Sequence, residues 1–243
     1  MDESDSNSDT DSDSDDDQSV TEEEQLLIAA AIAERDLKLS SLLARKNELP
    51  LRTRNKFNAL VFELLTKTKD DIHDMICDNS NIHDDNYGGL DSSRDTEAEV
   101  ETAIRFFPEV ISQPYGEDED EEEYPIQRLC FSNKYKCNVK AVSFIAVVAP
   151  LAIEFHSFED HERGGLLIED YAGNNAFTNL MFFSSHLDQN DLNLALLIQL
   201  RRMSLFKKDD IRDNGLVAIM LIKTDEDFSE RGFQFLVEWD PTS

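Results

Sequence analysis

Glu154, His156, Glu159, Asp160 and His161 fall within one eight-residue stretch. Carboxylates and imidazoles this close are the donor set of a divalent-metal site. His156 and His161 are five apart, however, one step off the i,i+4 spacing that sets two ligands on a single helix face. The stretch reads as an exposed turn, and no metal is expected. Cys137 has Lys134, Lys136 and Lys140 as neighbours, and positive charge can depress a thiol pKa and make it nucleophilic. The same residues fit a surface thiol without a function, which is the expectation. Acidic residues from Asp74 and Asp78 onward suggest calcium, but counting from either position supplies neither the Gly at position six nor the terminal Glu of an EF-hand loop. Arg163-Gly164-Gly165 lacks the rest of a phosphate-binding loop, and there is no G-x-S-x-G nucleophile elbow. No catalytic residue and no cofactor is therefore expected. An enzyme with an unfamiliar site is the third-ranked reading.

The remaining reactive groups lie in the N-terminal tail. Ser6, Ser8, Thr10, Ser12, Ser14 and Ser19 each have Asp or Glu three positions later, the pattern acidophilic kinases prefer. Each phosphate would add roughly −1.5 to −2 charges. The formal net charge of the chain is −29, which excludes nucleic-acid binding by phosphate neutralisation. Twelve of the acidic residues lie in the first 24 positions and seven in a row at 117–123. The rest carries a charge ordinary for a soluble domain. Residues 1–20 have too little apolar surface to offset ordering entropy and are expected to be a disordered acidic tail. Three cysteines are too few for a disulfide framework, and the N-terminus has neither the apolar core nor the basic start of a secretory signal. The longest apolar run, Ala141 to Phe155, is short of the roughly twenty residues of a membrane span. An intracellular protein, cytoplasmic or nuclear and away from the membrane, is expected.

The elements that would position any site are helical. Thr21-Glu22-Glu23-Glu24 has the form of a capping box, followed by Leu26, Ala30, Ala33 and Leu37 at helical spacing to about Arg45. Pro50 breaks that helix, and Phe57, Leu60, Val61, Leu64 and Leu65 form the stripe of a second, extended by Ile72, Met75 and Ile76. Residues 21–77 are thus expected to form a helical hairpin, either a first layer or a dimerisation element. Residues 78–95 are expected to be a surface loop. Thr96-Glu97-Ala98-Glu99 is a second capping box opening a helix that ends at Pro108. An acidic insertion at 114–123 precedes Tyr124-Pro125, with Pro at the first helical position. A buried helix from about Val139, a turn at Asp170, a helix from about Ala176 and segments near Asp209 and Arg231 complete residues 96–243.

Tyr124-Pro125-Ile126-Gln127-Arg128-Leu129-Cys130 and Asn175-Ala176-Phe177-Thr178-Asn179-Leu180-Met181 superimpose as sequences: a turn residue, a small or imino residue, then apolar positions at helical spacing. Asp170-x-x-Gly173-x-Asn175-Ala176-Phe177 resembles the turn and first helix of an ankyrin repeat, and Tyr124-Pro125-Ile126-Gln127 resembles its T-P-L-H. The two units are about fifty residues apart, against roughly thirty-three in ankyrin repeats. Tyr87-Gly88-Gly89-Leu90, Arg105-Phe106-Phe107-Pro108-Glu109-Val110, Glu162-Arg163-Gly164-Gly165-Leu166-Leu167 and Glu238-Trp239-Asp240-Pro241-Thr242-Ser243 are similar to stretches of uncharacterised ankyrin-like repeat proteins expanded in diatoms. The resemblance covers roughly Asn86 to Ser243. It implies an all-α stacked array, an α-solenoid, and no particular activity.

Such arrays bury their core between neighbours and commonly bind proteins. The leading expectation is a non-enzymatic protein-interaction scaffold for a protein partner. Gln127, Arg128, Thr178 and Asn179 on the short first helices are its expected partner contacts. The alternative is an acidic-tail electrostatic binder of basic proteins, in the manner of a histone chaperone.

Overall fold

The computed structural model describes residues 22–80, 82, 84, 86–116, 123–132, 136–170, 172–182, 187–222 and 229–240. The acidic tail with its six phosphoacceptor positions, Thr21 and the acidic residues 117–122 lie outside them. The described chain is mostly helical. Its α-helices are α1 (Glu22–Ala44), α2 (Leu51–Cys77), α3 (Glu97–Phe106), α4 (Pro125–Cys130), α5 (Ile145–Glu154), α6 (Ala176–Phe182), α7 (Leu187–Arg202), α8 (Lys208–Asp213), α9 (Leu216–Leu221) and α10 (Glu230–Trp239). An unforeseen two-residue antiparallel ladder, β1 (Phe131–Ser132) with β2 (Lys136–Cys137), pairs Phe131 with Cys137.

The chain divides into two units, residues 1–62 and 63–243, with the boundary inside α2. In the first, α1 ends at Ala44 and a short 3-10 turn at Lys46–Glu48 leads to Pro50 and α2. The two helices occupy the places the sequence spacing gives them. On α1, Leu26, Ile32, Leu37, Leu39, Leu42 and Leu43 are exposed. On α2, Leu60 and Phe62 are exposed as well.

In the second unit the helices fall into two rows. α4 packs on α6 and α6 on α9; α3 packs on α5, α5 on α7 and α7 on α10. The rows meet where α4 touches α5 and α9 touches α10. One apolar cluster runs through the unit from Ile76 to Leu236, with Phe144, Phe177 and Phe206 fully buried. Each such ring contributes roughly 2–3 kcal/mol by leaving water. α5 is apolar nearly all round because α3, α4 and α7 cover it from different sides. It begins at Ile145, later than the expected Val139, because Asn138 accepts from the Ala141 N–H and starts a 3-10 turn at Val142–Phe144.

Local signals set the helix starts. Thr96 accepts from the Glu99 N–H, and the Glu99 carboxylate accepts from the Thr96 N–H at 2.9 Å, the capping box read in the sequence. α3 stops at Phe106 ahead of Pro108, and Pro125 opens α4. The Asp170–Gly173 turn has Gly173 at φ +78°, with the Asp170 carboxylate accepting from the Ala172 and Asn174 N–H groups. Residues 78–95 are not a surface loop throughout. Ile82, Tyr87 and Leu90 are buried, and the Tyr87 hydroxyl donates to the Asp78 carbonyl at 2.8 Å. An aromatic and two aliphatic side chains draw the polar segment onto the core.

Candidate interaction surface

One device recurs at the start of the short helices. The side chain at the third helical position accepts a hydrogen bond from the N–H of the residue before the helix. Gln127 Oε1 does this for Tyr124 at 2.7 Å, Thr178 Oγ1 for Asn175 at 2.8 Å, and Asp210 Oδ2 for Lys207 at 2.6 Å. These bonds satisfy amide groups that a helix start leaves without partners. The superimposable sequences at Tyr124 and Asn175 therefore share a local geometry as well as a pattern.

That geometry also decides the fate of the expected partner contacts. Gln127 and Asn179 are fully buried and Thr178 nearly so. Gln127 Nε2 donates to the Ile168 carbonyl at 3.2 Å, and Asn179 Nδ2 donates to Asp170 at 3.1 Å. The Arg128 guanidinium is also committed, to the Cys77 carbonyl at 2.9 Å, to the Glu123 carboxylate at 2.8 Å and to the face of Tyr115. Gln127, Arg128 and Asn179 join one segment of the chain to another, and the Thr178 hydroxyl is taken up at its own helix start by the Asn175 N–H and carbonyl, so the polar groups are engaged inside the fold. The sequence suggested exposure because a polar residue on a short helix looks solvated until the connecting segments fold over it.

Charged pairs tie successive helices together. Arg105 of α3 holds Glu154 of α5 at 2.6 and 2.9 Å, and Arg231 of α10 holds Asp191 of α7 at 2.7 Å. Between the connections, Arg163, at φ +52°, donates to the buried Asp210 carboxylate and to the Leu205 carbonyl. Lys140 pairs with Asp91 at 2.9 Å. The hydrogen bonds from Lys140 and Ser93 hold the Asp91 carboxyl at about 2, below its ordinary 3.8.

The outward side of the row α3, α5, α7 and α10 carries one group of exposed apolar side chains in the second unit; Leu64 and Leu65 of α2, and Leu221 and Ile222 at the end of α9, are others. Phe106 is 75% exposed at the end of α3, with Ile153 41% exposed on α5. Arg105 beside them is fixed by Glu101 and Glu154 and lies 5.8 Å from the centre of the Phe155 ring. An exposed aromatic next to an immobilised arginine has the composition of an interface anchor. A sequence clue existed: Phe106 directly precedes Phe107-Pro108, and only one of two adjacent aromatics can face the core of a helix that stops there.

The reactive groups considered first are dispersed or sequestered. His156 and His161 are exposed, and His161 lies 3.2 Å from the equally exposed Glu159. Among the described residues no three His, Cys, Asp or Glu side chains converge to hold a metal ion. Cys137 is not a surface thiol. It is buried, and its Sγ donates to Asn193 Oδ1 at 3.3 Å. Cys77 and Cys130 are buried too, and burial pushes both thiols well above their ordinary range. Phe233, Phe235 and Trp239 of α10 are half-buried against the core, with Trp239 edge-on to Phe206 and Arg201 over its face. Among the described residues no helix is long and apolar enough to cross a membrane. Comparison of the chain with protein-family models, curated proteins and solved structures finds no match.

Proposed function

We propose that this chain is a non-enzymatic protein-interaction scaffold: a degenerate ankyrin-like helical array that presents the outer side of one helix row to a protein partner. The observation that carries the reading is the two-row pairing, α4–α6–α9 beside α3–α5–α7–α10, with the same cap opening α4 and α6. Such an array stabilises itself through contacts between neighbouring units and leaves a long rigid face free for recognition. Phe106 and Arg105 are the anchors of that face. The affinity comes from an aromatic ring entering a partner's pocket, with the rigid surroundings excluding water.

A second reading rests on charge. Twelve acidic residues in the first 24 positions form an electrostatic binder for basic proteins, strengthened by phosphorylation at Ser6, Ser8, Thr10, Ser12, Ser14 or Ser19. The two readings separate in one experiment. Proteins are captured from lysate at two salt concentrations with the full chain, a deletion of residues 1–18, and Phe106→Ala. Partners retained on the deletion at both salts and lost on Phe106→Ala support the array. Partners lost with the deletion or with salt support the tail.

A further inference from the structure

We infer that the helical segment 22–62 is an antiparallel docking surface for a second copy of this chain. α1 carries apolar side chains on two sides. Ile32, Leu39 and Leu43 recur at steps of seven and four and share one face, while Leu26 and Leu37, eleven apart, share another. All five are exposed, from 42% for Ile32 to 74% for Leu37. A helix apolar on two sides needs covering from two directions. The single intramolecular neighbour that a hairpin supplies could satisfy only one, so a bundle of helices from two chains suits it better.

Leu51, Leu60 and Phe62 of α2 are exposed as well, so apolar side chains continue past the corner within the same unit. α1, at 23 residues, runs about 34 Å, enough for three heptads.

Charge selects both the occupant and its direction. α1 starts with Glu22, Glu23 and Glu24 and has no basic residue before Arg35; the corner that follows it carries Arg45, Lys46, Arg52, Arg54 and Lys56 against Glu48 alone. A parallel pair would set the glutamates against each other. An antiparallel pair sets the acidic end of each α1 beside the basic corner of the other copy, an isologous two-fold arrangement. The basic corner also holds a cavity of about 270 Å³ lined by Ser41, Leu42, Arg45, Glu48 and Leu49. Antiparallel pairing centred on α1 brings Leu26 of the second copy to this level, where the cavity has room for its side chain.

The test is the mass of the full chain by light scattering and sedimentation up to about 100 μM, which detects dimers with a Kd in the micromolar range. The expected mass is twice the 27.8 kDa of one chain. Leu39→Lys with Leu43→Lys should return the monomer mass. Two charge variants keep the result independent of misfolding. One replaces Glu22, Glu23 and Glu24 by Lys, and the other replaces Arg45, Lys46, Arg52 and Arg54 by Glu. Each alone should be monomeric or at least about tenfold weaker in association, and an equimolar mixture should recover the dimer mass. A wild-type chain that stays monomeric over the whole range overturns the inference. So does a mass above the dimer, a dimer indifferent to both charge sets, or a monomer that instead takes up phosphatidylcholine vesicles through α1.

Discussion

The Arg128 guanidinium lies 2.8 Å from the Glu123 carboxylate, and only 18% and 8% of the two side chains reach solvent. Arg128 also donates to the last carbonyl of α2, Cys77, so one side chain joins α2, the end of the acidic segment and α4. Tyr115 and Glu123 exchange both backbone hydrogen bonds just beside it, at 2.9 and 3.2 Å. Replacing Arg128 by Ala leaves Glu123 buried and uncompensated, for which about 3 kcal/mol of destabilisation is expected. Arg128→Met with Glu123→Gln should cost clearly less, since no charge is left behind. Urea unfolding of the two variants checks the difference.

Gly164 sits at φ +68°, and a Cβ there would lie 2.4 Å from the Ala149 carbonyl oxygen in α5. Gly164→Ala combines left-handed strain with a backbone clash, and roughly 2–4 kcal/mol of lost stability is expected. Gly173, also at positive φ, has open space around its Cβ position, so Gly173→Ala should cost only about 1–2 kcal/mol. Equal losses at the two positions would show that the Ala149 contact does not matter.

Asn175 Oδ1 accepts from the Phe177 and Thr178 N–H groups at 3.1 and 3.2 Å, and its Nδ2 donates to Asn214. It caps α6 and ties it to the turn before α9. Asn175→Ala should cost about 2 kcal/mol, the upper end for a cap because the site is buried. Asn175→Asp keeps the acceptor and should recover part of this loss. Thermal unfolding of the pair measures both.

Asp91 has a folded pKa of about 2, below its ordinary 3.8. Its contribution is fully present above the unfolded value and is lost as pH falls through the folded one. Asp91→Asn should therefore destabilise the protein at pH 6 and be nearly neutral by pH 2. Chemical denaturation across that range gives the slope, and a penalty independent of pH would exclude the ion pair with Lys140 as its source.

Cys77 and Cys130 have folded pKa values raised above the ordinary 9.0, chiefly by burial, with Arg128 opposing the effect at Cys77. A raised pKa holds its full stabilisation below the unfolded value and loses it as pH rises beyond. Stability should fall above pH about 9 more steeply in the wild type than in Cys130→Ala. All three thiols are buried, so an aromatic disulfide reagent should modify the native protein only at the rate of its opening.

The elements were legible wherever a local rule decides the backbone. Thr96 and Glu99 form their capping box within four residues, Pro108 and Pro125 act through their own rings, and Gly173 meets a need for positive φ that only its own turn creates. The helical stripe from Phe57 to Ile76 likewise became one helix, α2. Burial of polar and reactive groups was decided by tertiary structure. Gln127 and Thr178 carry the right chemistry for a surface contact, but Ile168 and Asn175 use their polar atoms inside. Cys137 sits among lysines in sequence, yet the β1–β2 ladder and Asn193 of α7 enclose it. Leu39 and Leu43 have the spacing of core residues, yet they remain exposed. Spacing along the chain determines which side chains share a face, because backbone geometry is local. What covers that face depends on segments tens of residues away, or on a second chain, and only the three-dimensional arrangement specifies it.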